Sequence, residues 1–555
     1  MKRYFSIFLL LSLVVSFSKG QQNQEQEEDI YVDTRQAEAL FDLNFTKTER
    51  DSIQEGLKLN LSRIKALHAF SLKNETPPAF IFNPLPAGFI IEDVQKVLNF
   101  GLPVEMQLPE NDTELAFYTV AQLSVLVRDK KVTSTKLTKL YLDRLKKFGD
   151  TLECVVTLLE NRALEQAARA DEEIAAGNYR GPLHGIPYGI KDLFTLEGYK
   201  TTWGAMAYKD QMPTNTATVI HKLEEAGAVL LVKLTLGALA MGDVWYGGKT
   251  RNPWNLEQGS SGSSAGSGAA TAAGLVAFAI GTETLGSIVS PSTRNGVTGL
   301  RPTFGRVSRT GAMALSWTMD KVGPMCRSAQ DCAIILNAIY GPDGMDKAVI
   351  NAPFNYNTDQ DIGSLKIGYL KNLFERNYSN RSNDSIALMV FHEMGIHPQP
   401  VSLPENLPYS AMYMILAAES AAAFDELTRS NNDDLLVRQD KNAWPSFFRV
   451  ARLIPAVEYI QANRIRNLLI EEMNVLFQQY DAIITPSFGG PQLLATNLTG
   501  HPLVVLPNGF NEKGSPTSFS IIGRLFQEGT ILAIANAYQK ATAFETMKPP
   551  LFSVN

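Results

Sequence analysis

The sequence predicts an α/β fold with a central parallel or mixed β-sheet covered by helices on both faces. Short apolar runs bounded by turn residues recur at 186–190, 228–232, 481–485 and 501–506, the signature of buried strands. Between such runs lie amphipathic stretches, 134–148 and 163–176, whose apolar residues repeat at helical spacing. The composition agrees: 45% hydrophobic and 19% charged over 555 residues is too apolar and too evenly mixed for a disordered, collagen-like or coiled-coil chain.

Taken in order, residues 1–20 read as a secretory signal peptide. Met1, Lys2 and Arg3 supply a positive start, 5–17 is apolar, and Ser18-Lys19-Gly20 precedes the polar run QQNQEQEED. The apolar part is shorter than the roughly 20 residues a bilayer crossing needs, so no membrane span is expected after cleavage. The expectation is a soluble, exported protein, periplasmic or extracellular. Residues 21–115 read as an N-terminal helical extension. Leu40, Leu43, Leu57, Leu59, Leu61, Ile64 and Leu67 recur at helical period, and Pro77-Pro78 and Pro84-Leu85-Pro86 break the region up.

Several function classes are disfavoured. A net charge of −6 gives no general pull toward nucleic acid. No GxxxxGK[ST] loop is present, so ATP is not implied. His392 and His397 stand five apart, about 140° around a helix, with Gly395 between them; they read as a surface turn, and no metal is expected. Cys154, Cys326 and Cys332 allow at most one disulfide, and the last two are spaced for neither a zinc pair nor a redox motif, so they read as structural thiols. Tyr409, Met412, Tyr413, Met414, Phe447 and Phe448 read as core.

The most informative stretch is GSSGSSAGSGAATAAG at 259–274. By composition a Gly/Ser run is a flexible linker. This one instead passes into an Ala-rich segment read as helical over 269–280, and then into a second small-residue turn at 281–287. Two nucleophiles compete. Gly262-Ser263-Ser264-Ala265-Gly266 fits a G-x-S-x-G elbow with Ser264 attacking, which needs a downstream histidine, His392, His397 or His501. The elbow also requires a strand running into it, whereas RNPWNLEQ before it is polar and turn-rich. The other reading uses no histidine and turns on Lys191, at the end of GIPYGIKD; its bland counterpart is an ordinary ion pair of Lys191 with Asp192.

Four ordered segments resemble the amidase signature family of serine amide hydrolases. They are GPLHGIPYGIKD (181–192), the Gly/Ser run, GTETLGSIVSP (281–291) and NGVTGLRPTFGRVSR (295–309). The resemblance is nearest to the GTET-type, peptide-amidase-like members, and it implies one large amidase signature domain over 116–550. It implies Lys191 as the base, Ser263 as a bridging serine after a cis peptide, and Ser287, 24 residues on, as the nucleophile. The oxyanion-hole amides would be those of Thr284, Leu285, Gly286 and Ser287. No cofactor is implied, and the partner is a small-molecule or peptide amide. The chemistry requires a neutral lysine, which desolvation favours.

Two departures stand out: Leu285 replaces a common glycine, and Val289 stands where an arginine is frequent. The expected function is an exported serine amidase hydrolysing a carboxamide to a carboxylate plus ammonia or an amine. The alternatives are the glutaminase-type A subunit of a tRNA-dependent amidotransferase and a non-catalytic binding protein on the same scaffold.

Overall fold

The computed structural model describes residues 32–69 and 71–553. The stretch read as a signal peptide lies outside them. The chain divides into two units, one ending at Ser71 and one beginning at Leu72.

Among the described residues the first unit carries three helices, Arg35–Leu40, Lys47–Ser52 and Gln54–His68. Thr46 and Glu49 close a reciprocal capping box at the start of the second, and Arg50 pairs with Glu38 at 2.9 Å. The helical reading holds here but not over 72–111, which is irregular; the helix Asp112–Leu115 follows. The proline pairs in this stretch remove backbone donors and fix φ, so the chain runs extended.

Among the described residues, the main sheet of the second unit has eleven strands, beside two small two-stranded sheets: β1 Val155–Leu158, β2 Pro187–Lys191, β3 Val229–Leu234, β4 Phe278–Glu283, β5 Thr298–Arg301, β6 Lys321–Cys326, β7 Ile367–Leu370, β8 Gln399–Val401, β9 Ala482–Pro486, β10 Leu503–Phe510 and β11 Pro516–Gly523. These eleven form one mixed sheet in the order β1-β3-β2-β4-β6-β5-β10-β11-β9-β7-β8. β2 lies parallel to both β3 and β4, whereas β4 and β6 are antiparallel. Every residue of β2 and β3 is buried, as expected of strands covered on both faces.

The helices that flank the sheet follow their pattern. Ser134–Leu152 is capped by Thr133, whose hydroxyl accepts from the Lys136 amide, and it buries Leu137, Tyr141, Leu145, Phe148 and Leu152. The Gly/Ser run is no linker. It enters the helix Ala265–Ala272, buried at every position, which packs on β2 and β4. This helix ends earlier than the expected 269–280 segment because Gly274 turns the chain at φ 66°, and the remainder becomes β4. The three cysteines are free and buried.

Candidate active site

Parallel pairing decides where the site forms. Tyr188, Gly189 and Ile190 align with Phe278, Ala279 and Ile280, so the carboxyl ends of β2 and β4 lie side by side. Lys191 closes β2, and Thr282 near the end of β4 lies within its reach. Lys191 Nζ donates to Ser263 Oγ at 2.8 Å, Thr282 Oγ1 at 2.9 Å and Ser264 Oγ at 3.1 Å. It is fully buried, and among the described residues no carboxylate pairs with it. Burial pushes the amine from 10.5 down to about 7, against the more distant pull of Asp320 and Glu283.

Asp192 does not take up the neighbouring lysine. Its carboxylate lies 2.8 Å from Lys233 Nζ and accepts the Thr202 amide at 2.9 Å, all fully buried. An ordinary Lys191–Asp192 pair is therefore excluded.

Ser263 follows a cis peptide bond at Gly262 and lies two positions before the buried helix Ala265–Ala272, whose N-cap is Ser264. Glycine is required at 262: a Cβ there would stand 1.8 Å from the Gly242 carbonyl oxygen. The Ser264 amide donates to the Ser287 carbonyl at 3.2 Å, which brings the backbones of the two loops together. Ser261 Oγ and Ser290 Oγ, 2.7 Å apart, and Asn295 Nδ2 on the Ser260 carbonyl at 2.9 Å stitch them further.

Residues 284–287 form the turn between β4 and the helix Val289–Asn295. Among the described residues none of the amides of Thr284, Leu285, Gly286 and Ser287 donates a hydrogen bond. Gly286 sits at φ 86°, a region a side chain disfavours. Ser287 is nearly buried at 8% exposure, and its hydroxyl makes no hydrogen bond among the described residues. Leu285 packs into the neighbouring apolar cluster with Val289.

Three contributors escaped the sequence reading. Glu283 Oε2 accepts the Ile288 and Val289 amides at 2.8 and 3.0 Å, and its Oε1 accepts from Arg301 at 2.9 Å and Asn497 at 3.0 Å. The Arg301 guanidinium and these donors overcome burial and hold its carboxyl at about 2. Asp320 accepts the Thr284 hydroxyl at 2.5 Å and the amides of Leu315 and Ser316 at 2.8 and 3.0 Å. Thr282 completes the donor–acceptor shell of Lys191. An acidic residue and a threonine just ahead of the 284–287 turn were the available signal.

The competing elbow fails on accessibility. Ser264 is fully buried, with Oγ 3.1 Å from the Thr282 carbonyl and 3.2 Å from its amide. His501 is stacked on Phe477 and shares a 2.7 Å hydrogen bond with Thr499; burial pushes it to about 3, so it stays neutral. His392 and His397 meet each other at 2.9 Å on the surface.

A cavity of about 550 Å³ opens beside Thr282 and Thr284, with Leu193, Met313 and Leu315 among its lining. Among the described residues no cluster of three or more His, Cys, Asp or Glu could hold a metal ion, and no helix is long and apolar enough to cross a membrane.

This is the fold of an amide hydrolase. The amidase family profile (Amidase) matches residues 136–496, and the chain belongs to that family. The glutamyl-tRNA(Gln) amidotransferase A subunit of Dehalococcoides mccartyi strain CBDB1 is 34% identical over 488 residues, covering 79% of this chain and all of the relative. Among solved structures, the native peptide amidase of Stenotrophomonas maltophilia superposes with TM-score 0.69 at 30% identity, covering 78% of this chain and 98% of its own. An amidase family protein from Bacillus anthracis str. Ames gives TM-score 0.70 at 26% identity, covering 79% and 93%.

Proposed function

We propose that the chain hydrolyses a carboxamide to a carboxylate and ammonia or an amine through an acyl-enzyme on Ser287. The carrying observation is the buried Lys191 amine, poised near neutrality and bound to hydroxyls instead of a carboxylate.

A serine hydroxyl attacks poorly until a base removes its proton. In this scheme Ser263 passes the Ser287 proton to neutral Lys191 as Ser287 Oγ bonds to the amide carbon. The four free amides of Thr284, Leu285, Gly286 and Ser287 supply donors for the oxyanion, each worth about 3 kcal/mol in sites of this kind. Collapse of the tetrahedral centre breaks the C–N bond, and the proton returns through Ser263 to the leaving amine. Water then repeats the sequence on the ester and frees the acid.

The test is a fluorophosphonate label followed by peptide mapping. Label on Ser287, and loss of amide turnover in Ser287→Ala, are the expected results; labelling of Ser264 instead would refute the assignment.

A second reading has its own support, the 34% identity to an amidotransferase A subunit over that relative's whole length. It makes the chain a glutaminase working in a complex. Glutamine hydrolysis strictly dependent on a co-purified partner would favour it over hydrolysis of simple amides by the chain alone. Val289, in place of a frequent arginine, supports the free amidase. The composition of residues 1–20 supports export, which fractionation of the native cells tests.

A further inference from the structure

We propose that residues 74–82, which precede the matched family region, form one wall of a subsite for the acyl group, and that the chain prefers carboxamides with a bulky apolar acyl group over acetamide. This rests on Ser287 being the nucleophile.

The cavity beside Thr282 and Thr284 is lined by Leu193, Met313 and Leu315 and, from the strap, by Pro77, Phe80 and Phe82, with Arg309, Asp320 and Lys321 among its charged lining. This strap is fastened at both ends. The Asn74 side chain pairs with Ala314 in both directions, donating to its carbonyl at 2.9 Å and accepting its amide at 2.8 Å, and it reaches the Ala423 carbonyl at 3.3 Å. Phe82 meets Phe304 edge-on at 5.0 Å, with the Arg466 guanidinium over its ring at 3.5 Å.

The first anchor leads to the turn before the nucleophile. Ala314 precedes Leu315 and Ser316, whose amides are held by Asp320, and Asp320 also holds the Thr284 hydroxyl. The strap and the 284–287 turn therefore share one hydrogen-bonded frame. Arg309 in the lining is already engaged by Asp346 at 2.8 and 3.0 Å.

The chemistry selects the acyl group as occupant. The amine must depart after the first step, whereas the acyl group stays tethered to Ser287 while water enters. A walled cavity with an apolar share of its lining serves the part that stays, and burial against Leu193, Met313, Leu315 and Phe80 strengthens binding with each added methylene.

The experiment measures kcat and KM of the full chain on acetamide, butanamide, hexanamide and 3-phenylpropanamide. Because all are primary amides, only the acyl group varies. Wild type should gain about fourfold in kcat/KM per added methylene along the alkyl series. Ala79→Trp fills the cavity from the strap and should cut the phenylpropanamide-to-acetamide ratio about tenfold, mainly through KM. Phe80→Ala, at a half-exposed ring where folding is not at risk, should flatten the series. A flat wild-type series, or a ratio untouched by both substitutions, overturns the subsite while fluorophosphonate labelling of Ser287 persists. Absence of both labelling and turnover overturns the nucleophile and the subsite with it.

Discussion

Asp192 and Lys233 form a fully buried ion pair at 2.8 Å, and this pairing is what leaves Lys191 without a counter-ion. Burial pushes the Asp192 carboxyl up and the Lys233 amine down, so each depends on the other to stay charged. Removing one partner strands a charge in the core. Lys233→Met should therefore cost about 3–5 kcal/mol in urea unfolding. The double variant Asp192→Asn with Lys233→Met should recover much of that loss. Equal losses in the single and double variants would mean that the pair is not coupled.

In the proposed scheme the Lys191 amine sets the pH dependence of turnover. Only its neutral form accepts a proton, and its value lies at about 7, so kcat/KM should rise with pH through an apparent value near 7 and level off above. Lys191→Arg, which stays charged, should be inactive at every pH. A rate that is flat from pH 5 to 9 would remove lysine as the base.

The same group links pH to stability with a definite sign. Between about 7 and 10.5 the unfolded chain holds a proton on Lys191 that the folded chain lacks, so its contribution to stability rises with pH in that window and is lowest below 7. Lys191→Met removes this dependence but leaves the Ser263 and Thr282 hydroxyls without their shared partner at all pH values. Relative to wild type, the variant should therefore be more favourable at pH 6 than at pH 9.5, by about 3 kcal/mol. Chemical denaturation at the two pH values reads the difference directly.

Glu283 fixes the turn that carries Ser287. Its carboxylate holds the Ile288 and Val289 amides just beyond Ser287 and neutralises the buried Arg301. Glu283→Gln should lower kcat by about 100-fold through loss of orientation while changing KM little. It should also destabilise by about 3–5 kcal/mol, because Arg301 is left unpaired. A loss confined to KM would place Glu283 in substrate binding instead.

The parts of the fold that are legible in the sequence are those whose physics is local. Strands β2, β3, β9 and β10, buried at nearly every position, read as short apolar runs with bounds within a few residues of those observed. Motif order names Lys191, Ser263 and Ser287, and the structure brings Lys191 Nζ to Ser263 Oγ and the Ser264 amide to the Ser287 carbonyl, their catalytic roles resting on the proposed scheme. What escapes depends on long-range contacts. β4 merges into an Ala-rich run because composition does not register that Gly274 turns the chain. The 72–111 stretch reads as helical from its neighbours, although its role as a cavity wall rests on Asn74 reaching Ala314, 240 positions away. Glu283 carries no periodic signal, and its partners Arg301 and Asn497 come from distant strands and helices.

Two glycines test how tightly the loops are fitted. At Gly262 an added Cβ would lie 1.8 Å from the Gly242 carbonyl oxygen, an overlap with backbone that no rotamer relieves. Gly262→Ala should therefore displace Ser263 and abolish turnover. At Gly286 the constraint is conformational: φ is 86°, and the nearest atom to a new Cβ is Leu493 Cδ2 at 3.2 Å, the end of a flexible side chain. Gly286→Ala should cost about 1 kcal/mol in stability from the left-handed backbone. Its larger effect should fall on kcat, since the turn must rotate and misdirect the four free amides. Thermal melts and steady-state kinetics on the two variants separate these causes, and a fully active Gly286→Ala enzyme would show that the amides of this turn do not bind the oxyanion.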